Sequence, residues 1–461
     1  MQYLKPNVKY LKRDVDDYFR NWKSDEWHHA LIVIGARQVG KTTSILHFAK
    51  FNYKNVIYID LEESDGIDFI NFIKSHPKKT KDLLTDYFNL HGLCYTDSND
   101  TIIIFDEIQN SEQVWSLIRP IDVSMNCDLI VTGSALSKTK KWFIPAGNFE
   151  TLRMHTMSFP EFLGCLGYRD KYNSCEIDKL TENQDAWFRN VFEIYCKVGG
   201  YPAAVQAYLQ NKDYEKVLDQ LLEILKKELN NTSEFKTTKE RIPYLLEVLV
   251  KSLLKEKKGN NNLLEYLVTS VNELTPSNKA SKKEIDLLIN WLIEVDVISI
   301  CDGINLATNT ILEKQRIYFN DVGFLNYIMS LFPVDSDNAL GLLSETFIHK
   351  VFYNMASRKS SLYFGIYNNY EYDFVLVANK TGKKKLIEVK HKNGKSKSME
   401  FAIKKNLADY YYFYFGDTGY KSNDCIERIP IYFADRTLID GIIESECTDV
   451  KYETLPPFPS D

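Results

Sequence analysis

At 461 residues and about 150 residues per domain, the chain is long enough for roughly two to four domains, each with its own core. Hydrophobic residues at 44%, aromatics at 13% and charged residues at 26% exclude a disordered, collagenous or low-complexity protein. Fifty-seven Lys and Arg against 63 Asp and Glu leave a net charge of −6, so only a local basic patch could mark a nucleic-acid or membrane binder.

Apolar runs such as Ile102 to Phe105 fall far short of a bilayer, and Met1-Gln2-Tyr3-Leu4-Lys5-Pro6 has no signal-peptide core, which predicts a cytoplasmic protein. The eight cysteines include no CxxC pair, so neither zinc nor a disulfide framework is expected.

Along the chain, Tyr10 to Trp22 has the spacing of an amphipathic helix. Leu31 to Ile34, Val56 to Leu61, Thr101 to Phe105 and Leu129 to Thr132 read as buried parallel strands separated by helices, an α/β core over 1–135. Residues 136–258 carry long helical periodicities, clearest at Val217 to Leu229 and Arg241 to Leu254, and predict a helical region. In 259–340, two helices precede a β-hairpin, the second opening with the capping box Ser281-x-x-Glu284, the order of a winged helix. A second α/β domain is expected over 341–435, with a helix at Gly341 to Met355 and strands at Tyr363 to Ile366, Tyr372 to Ala378, Lys385 to Lys390, Tyr410 to Phe415 and Ile429 to Phe433. Residues 436–461 read as a tail.

Gly35-Ala36-Arg37-Gln38-Val39-Gly40-Lys41-Thr42, followed by Thr43, fits G-x-x-x-x-G-K-[ST] between a predicted strand and a predicted helix, the context that gives the motif its meaning. Its glycines let backbone N–H groups surround phosphate oxygens. Lys41 would neutralise β/γ charge and the Thr42 hydroxyl would ligate Mg²⁺. Asp106, ending the run Ile102-Ile103-Ile104-Phe105, supplies the second metal-side oxygen. Glu107 is placed to act as general base on water, or alternatively to cap the next helix. Thr132 and Ser134 are γ-phosphate sensor candidates, with a turn-forming role as the alternative. Arg13, Arg37, Arg119 and Arg153 are finger candidates that sequence alone does not rank, and a finger from a neighbouring copy would require a homo-oligomer.

Asp373, Glu388 and Lys390 form D-x14-E-x-K, with Glu388 and Lys390 on one face of a predicted strand. A hairpin that pairs 373 with 388 centres its turn between Lys380 and Thr381, beside Gly382, where the turn residues lie. Two carboxylates would then share Mg²⁺ beside a lysine, with Glu345 as a further member. The competing reading is a charged edge-strand face. Lysines 380, 383, 384, 385, 390, 392, 395 and 397 form the local basic patch that a phosphate backbone requires, or a solvated charge run.

With Phe105-Asp106-Glu107-Ile108-Gln109, Thr132-Gly133-Ser134, Met157-Ser158-Phe159-Pro160-Glu161-Phe162-Leu163, Gly199-Gly200-Tyr201-Pro202, Tyr318-Phe319-Asn320-Asp321-Val322-Gly323, Glu371-Tyr372-Asp373-Phe374-Val375 and Ile387-Glu388-Val389-Lys390 beside the phosphate loop, the chain resembles a family of prokaryotic AAA-like ATPases. That family joins a phosphate-loop domain to a C-terminal domain of uncharacterised function with a restriction-endonuclease-like, PD-(D/E)xK core. The resemblance implies a three-layer ATPase sheet, a helical lid, a winged helix and the nuclease-like fold, with ATP held through Lys41, Thr42, Asp106 and Glu107. Many relatives carry Gly-Arg where this chain has Gly147-Asn148, so the resemblance supplies no arginine at that point.

Two functions follow as expectations. One is an ATPase whose nucleotide state controls a DNA-binding, Mg²⁺-dependent nuclease domain. The other is an ATP-controlled switch or scaffold whose C-terminal domain binds DNA or protein and cuts nothing. A small-molecule kinase fits neither the Asp106-Glu107 pair nor the long C-terminal extension.

Overall fold

The computed structural model describes residues 10–133, 149–231, 241–255, 263–277, 279–355, 360–390, 396–416, 421–423 and 425–436. They divide into two units.

In the first unit, the β-branched runs form β1 (Leu31–Ile34), β2 (Asn55–Asp60), β3 (Thr101–Asp106), β4 (Asp128–Gly133) and β5 (Glu150–Arg153). They lie in the order β2-β3-β4-β1-β5 and every pairing is parallel. β3 and β4 are buried at every position, as strands covered by helices on both faces must be. Ile57, Ile103, Phe105 and Val131 pack there with Phe69, Leu84 and Ile118. Because β4 lies between β1 and β3, the carboxyl ends of three neighbouring strands deliver the phosphate loop, Thr132 and Asp106 to one edge, where open parallel sheets bind ligands.

β5 corrects the expected domain boundary at 135. The first unit runs to Met157 and includes Glu294–Asp296, so the segment read as a helical region contributes a strand to the first sheet. A four-residue strand at a sheet edge, with alternate residues exposed, is too short for a periodicity signal to separate it from helix or loop.

The second unit opens with the helix Phe159–Cys165, whose capping box joins Ser158 and Glu161. The helices Glu182–Val198, Pro202–Leu209, Tyr214–Asn231 and Ile242–Lys255 follow. The expected Ser281/Glu284 box is present, with Glu284 N–H donating to Ser281 Oγ at 3.2 Å.

Its sheet has eight strands: β6 (Ile298–Asn305), β7 (Thr310–Phe319), β8 (Ser360–Tyr367), β9 (Tyr370–Ala378), β10 (Lys384–Lys390), β11 (Tyr410–Phe415), β12 (Lys421–Asn423) and β13 (Ile426–Pro430). The order is β12-β13-β11-β10-β9-β8-β6-β7. The helix Ser336–Met355 is followed by the antiparallel β8-β9-β10 meander, the helix Lys397–Lys405 and the strand β11, which pairs with β10 in parallel. The hairpin β6-β7, read as the wing of a separate segment, instead pairs through β6 with β8 in parallel. A boundary at 340 therefore divides one continuous sheet. The strand expected to reach Phe433 ends at Pro430 and passes into a 3-10 helix, Ile431–Arg436, because a proline supplies no ladder N–H.

Two of the family-like motifs interlock in this unit. Asp321 caps the helix Val322–Ser330, its Oδ1 accepting the Gly323 and Phe324 N–H groups at 3.0 Å each. Its Oδ2 accepts the Gly200 N–H at 2.8 Å and faces Lys350 Nζ at 3.5 Å. Lys350 also donates to Tyr195 Oη at 2.8 Å. Gly199, at φ +77°, has no room for a Cβ, which would stand 2.2 Å from Asp321 Oδ1. Replacing Asp321 with Ala strands Lys350, which is only 3% exposed. We expect a loss of about 3–5 kcal/mol, measured as a lowered urea midpoint with an unchanged slope.

Candidate functional site

The phosphate loop depends on two glycines, one for a close approach and one for a left-handed backbone. Gly35 lies at φ +150°, and a Cβ there would fall 2.0 Å from the Met154 carbonyl oxygen. Gly40, at φ 91°, is the left-handed N-cap of the helix Lys41–Asn52, which has no side-chain cap. The N–H groups of its first turn are thus left to a ligand. Ala36 and Val39 are buried, whereas Gln38 and Thr43 face solvent. Thr43, inside the matched motif, therefore turns its side chain away from the loop.

Lys41 is buried, and Nζ donates to the Gly35 and Ala36 carbonyls at 2.9 Å each. Burial lowers its pKa, against the pull of Glu107 and Asp106. The Thr42 hydroxyl donates to Asp106 Oδ2 at 2.6 Å and Tyr58 Oη to the same oxygen at 3.0 Å. Burial raises the Asp106 pKa. A threonine hydroxyl and a carboxylate held together are the hard oxygen donors that Mg²⁺ takes, so these residues fit that ion. Tyr58 was not legible as a site residue, because an aromatic inside a β-branched run reads as core.

Glu107 adopts a left-handed backbone, φ 50°, and gives no side-chain cap to the 3-10 helix Ile108–Asn110. The capping alternative for Glu107 is thus corrected: its carboxylate accepts from Gln109 Nε2. The Thr132 hydroxyl at the end of β4 is buried without a hydrogen-bond partner, an orphan of the kind a ligand satisfies. Ser134 and Gly147-Asn148 lie outside the described residues. Among the arginines, Arg37 pairs with Glu62 at 3.8 Å, Arg153 faces Asp296 at 3.6 Å, Arg119 is exposed, and Arg13 is buried behind the loop.

In the second unit, β9 and β10 have the anticipated register, from Lys384↔Val377 to Ile387↔Phe374. One step further, the ladder gives way to a side chain: the Val389 N–H donates to Asp373 Oδ2 at 2.7 Å. Glu388, 3% exposed, accepts from Lys390 Nζ at 2.5 Å and from Ser396 Oγ at 2.9 Å, both at Oε1. Its Oε2 is buried and unpartnered. Burial, reinforced by Asp373, pushes the Glu388 carboxyl up to about 7. Burial would lower the Lys390 pKa, but Glu388 and Asp373, with a smaller pull from Glu345, raise it. The four expected residues are therefore electrostatically connected, although among the described residues no three His, Cys, Asp or Glu side chains form a group able to hold a metal ion.

Glu345 is committed elsewhere, accepting from Tyr318 Oη at 2.6 Å and facing Arg316 at 3.5 Å. Arg316 also donates to Glu371 at 2.9 Å. Arg316, Tyr318 and Ser396 were missed in the sequence because they approach Glu345 and Glu388 from other elements. The lysine patch is thinner than expected. Lys385 is buried, its ammonium reaching Tyr412 Oη at 3.3 Å, Lys384 donates to Asn309, and Lys392 and Lys395 lie outside the described residues.

Residues 28–163 match the model of an AAA domain, and residues 189–335 match a domain of unknown function (DUF8612). The chain carries an ATPase-like AAA domain, and the second match crosses the expected boundary at 258. An uncharacterized protein of Haemophilus influenzae is 24% identical over 179 residues, 38% of this chain; the chain spans 40% of that relative's length. Among solved structures, a Walker-type ATPase of Pyrococcus abyssi aligns at 15% identity and a TM-score of 0.40 over 69% of this chain and 96% of that one. The Aeropyrum pernix ORC1 protein, solved in complex with DNA, aligns at 10% and 0.33 over 71% and 95%. RuvB of Thermotoga maritima aligns at 14% and 0.27 over 62% and 88%. No helix of the described residues is long and apolar enough to cross a membrane.

Because the folded-state carboxyl of Glu388 sits near 7, above its ordinary 4.5, its contribution to stability is full below the ordinary value and lost as pH rises through about 7. In chelator-treated buffer, Glu388→Gln should flatten that decline, read as urea midpoints across this interval.

Proposed function

We propose that the first unit binds and hydrolyses ATP. The observation that carries this reading is the Thr42–Asp106 contact at 2.6 Å, set beside Lys41 at an uncapped helix N-terminus. Lys41 exchanges the Gly35 and Ala36 carbonyls for β/γ-phosphate oxygens, and the loop N–H groups hold the remaining charge. Glu107 accepts a proton from the attacking water, while the Thr132 hydroxyl donates to the γ-phosphate or to that water. Thr42 and Asp106 would hold Mg²⁺ brought in with the nucleotide, which would supply charge neutralisation for the phosphates.

Lys41→Ala should abolish nucleotide hydrolysis. Glu107→Gln should retain binding and slow turnover by about 100-fold or more, the usual scale of a general base. Normal turnover by Glu107→Gln in a phosphate-release assay would remove the base assignment.

For the second unit we propose a nucleic-acid phosphodiester site with Asp373, Glu388 and Lys390 as its reacting groups, on which Glu345, held by Tyr318 and Arg316, acts only through its charge, and which the nucleotide state of the first unit controls. The orphaned Glu388 Oε2, opposite the Asp373 position, supports this reading, and two carboxylates fit a hard divalent cation that keeps several waters. Lys390 is the group to orient the attacking water, and the cation supplies Lewis acidity.

A specific observation favours a second reading, binding without cleavage: no third ligand stands with the two carboxylates among the described residues. Labelled single- and double-stranded DNA, incubated with Mg²⁺ or Mn²⁺ with and without ATP, separates the two. Cleavage lost in Lys390→Ala and altered in Lys41→Ala supports the nuclease. Gel-shift binding without cleavage, unchanged by Lys390→Ala, supports the switch.

A further inference from the structure

Arg13 has no role in the hydrolytic scheme above, yet it is 4% exposed. Its guanidinium serves two backbone carbonyls at 2.8 Å each: Nη1 donates to Val39 O in the phosphate loop and Nη2 to His155 O beyond β5. The Arg13 N–H donates to Asp16 Oδ2 at 3.0 Å, and Asp16 Oδ1 accepts from Tyr10 Oη at 2.5 Å. Tyr10 in turn lies flat on His47, with ring centroids 3.6 Å apart and planes 8° apart, and reaches Ser44 Oγ at 3.2 Å. His47 and Ser44 belong to the helix that begins at Lys41. One short segment therefore grips both the loop and the helix it leads into.

A phosphate loop can aim its N–H groups at an anion only if its carbonyls turn the other way. At Val39, fully buried, an outward carbonyl finds no water and needs a protein donor. On either side, Gly40 at φ 91° takes a left-handed conformation freely, whereas Gln38 at φ 62° holds one that costs a side-chain-bearing residue energy and needs support from its surroundings. A guanidinium suits this position, because its rigid fork satisfies two separate acceptors with one permanent charge.

We infer that Arg13 is a positioning residue of the nucleotide site: through Val39 it holds the phosphate loop in its anion-binding form before nucleotide arrives, with Tyr10 and Asp16 fixing the arginine itself. The inference rests on the ATP reading. Its donors face backbone carbonyls, one in the loop and one at His155, which sets it apart from an arginine that touches the γ-phosphate.

The test is titration of the full chain with a fluorescent N-methylanthraniloyl-ATP, comparing wild type, Arg13→Met, Arg13→Lys and Leu84→Ala, a core substitution in the same unit. Thermal unfolding of each is recorded without nucleotide. We expect Arg13→Met to weaken binding about tenfold, the scale of a lost charged hydrogen bond. Arg13→Lys should recover part of this, since one ammonium cannot reproduce the fork, and Leu84→Ala should lower the melting temperature with nucleotide affinity retained. Wild-type affinity in Arg13→Met, or in Arg13→Lys should the methionine variant not fold, overturns the inference. So does an equal affinity loss in Leu84→Ala. Absence of binding by wild type would instead remove the ATP reading itself.

Discussion

One buried carboxylate decides how the second unit is assembled. Asp321 caps a helix, receives the backbone of a glycine pair far away in sequence and neutralises a lysine that is almost wholly out of water. A buried lysine is costly unless an anion and further hydrogen bonds meet it, and Asp321 together with Tyr195 does so. The geometry then forbids side chains nearby: a Cβ on Gly323 would lie 2.3 Å from the Gly199 nitrogen. The two motifs are thus halves of one contact, and their composition answers to packing rather than to chemistry on a substrate.

The two candidate sites share an economy in how they store charge. Lys41 rests on the carbonyls of its own loop, and Lys390 rests on Glu388. Lys41 is buried and Lys390 partly exposed, and in each the ammonium is satisfied by polar groups of its own unit. The difference lies in the anions. Asp106 takes hydroxyl donors from two neighbouring strands or helices, whereas Glu388 keeps one oxygen unsatisfied and is pushed toward its neutral form. The first site has its carboxylate met by two hydroxyl donors; the second holds a buried acceptor without a hydrogen-bond partner.

Much of this was legible in the sequence where a local pattern carries its own geometry. The run Thr101 to Asp106 announces a buried strand with a carboxylate at its end, and the position of Gly382 fixed the β9-β10 register through turn chemistry. What stayed hidden depends on contacts distant along the chain. β5 is four residues long, Arg13 meets its acceptors across 26 and 142 residues, and Arg316 reaches Glu345 and Glu371 from another strand. The lysine run misled in part, since Lys385 folds inward beneath tyrosine rings, a placement that an aliphatic stem with a polar head permits and composition does not disclose.

The pairing of β6 with β8 has a practical consequence for dissecting the chain. A fragment cut at 341 would begin just before the nuclease-like elements and look self-contained on paper. It would leave β8 as an open edge, with the backbone groups of Tyr363 to Ile366 stripped of their β6 neighbours. An unprotected edge of this kind recruits other chains, so such a fragment is built to aggregate, and the smallest piece that keeps β8 paired on both sides must begin upstream of Ile298.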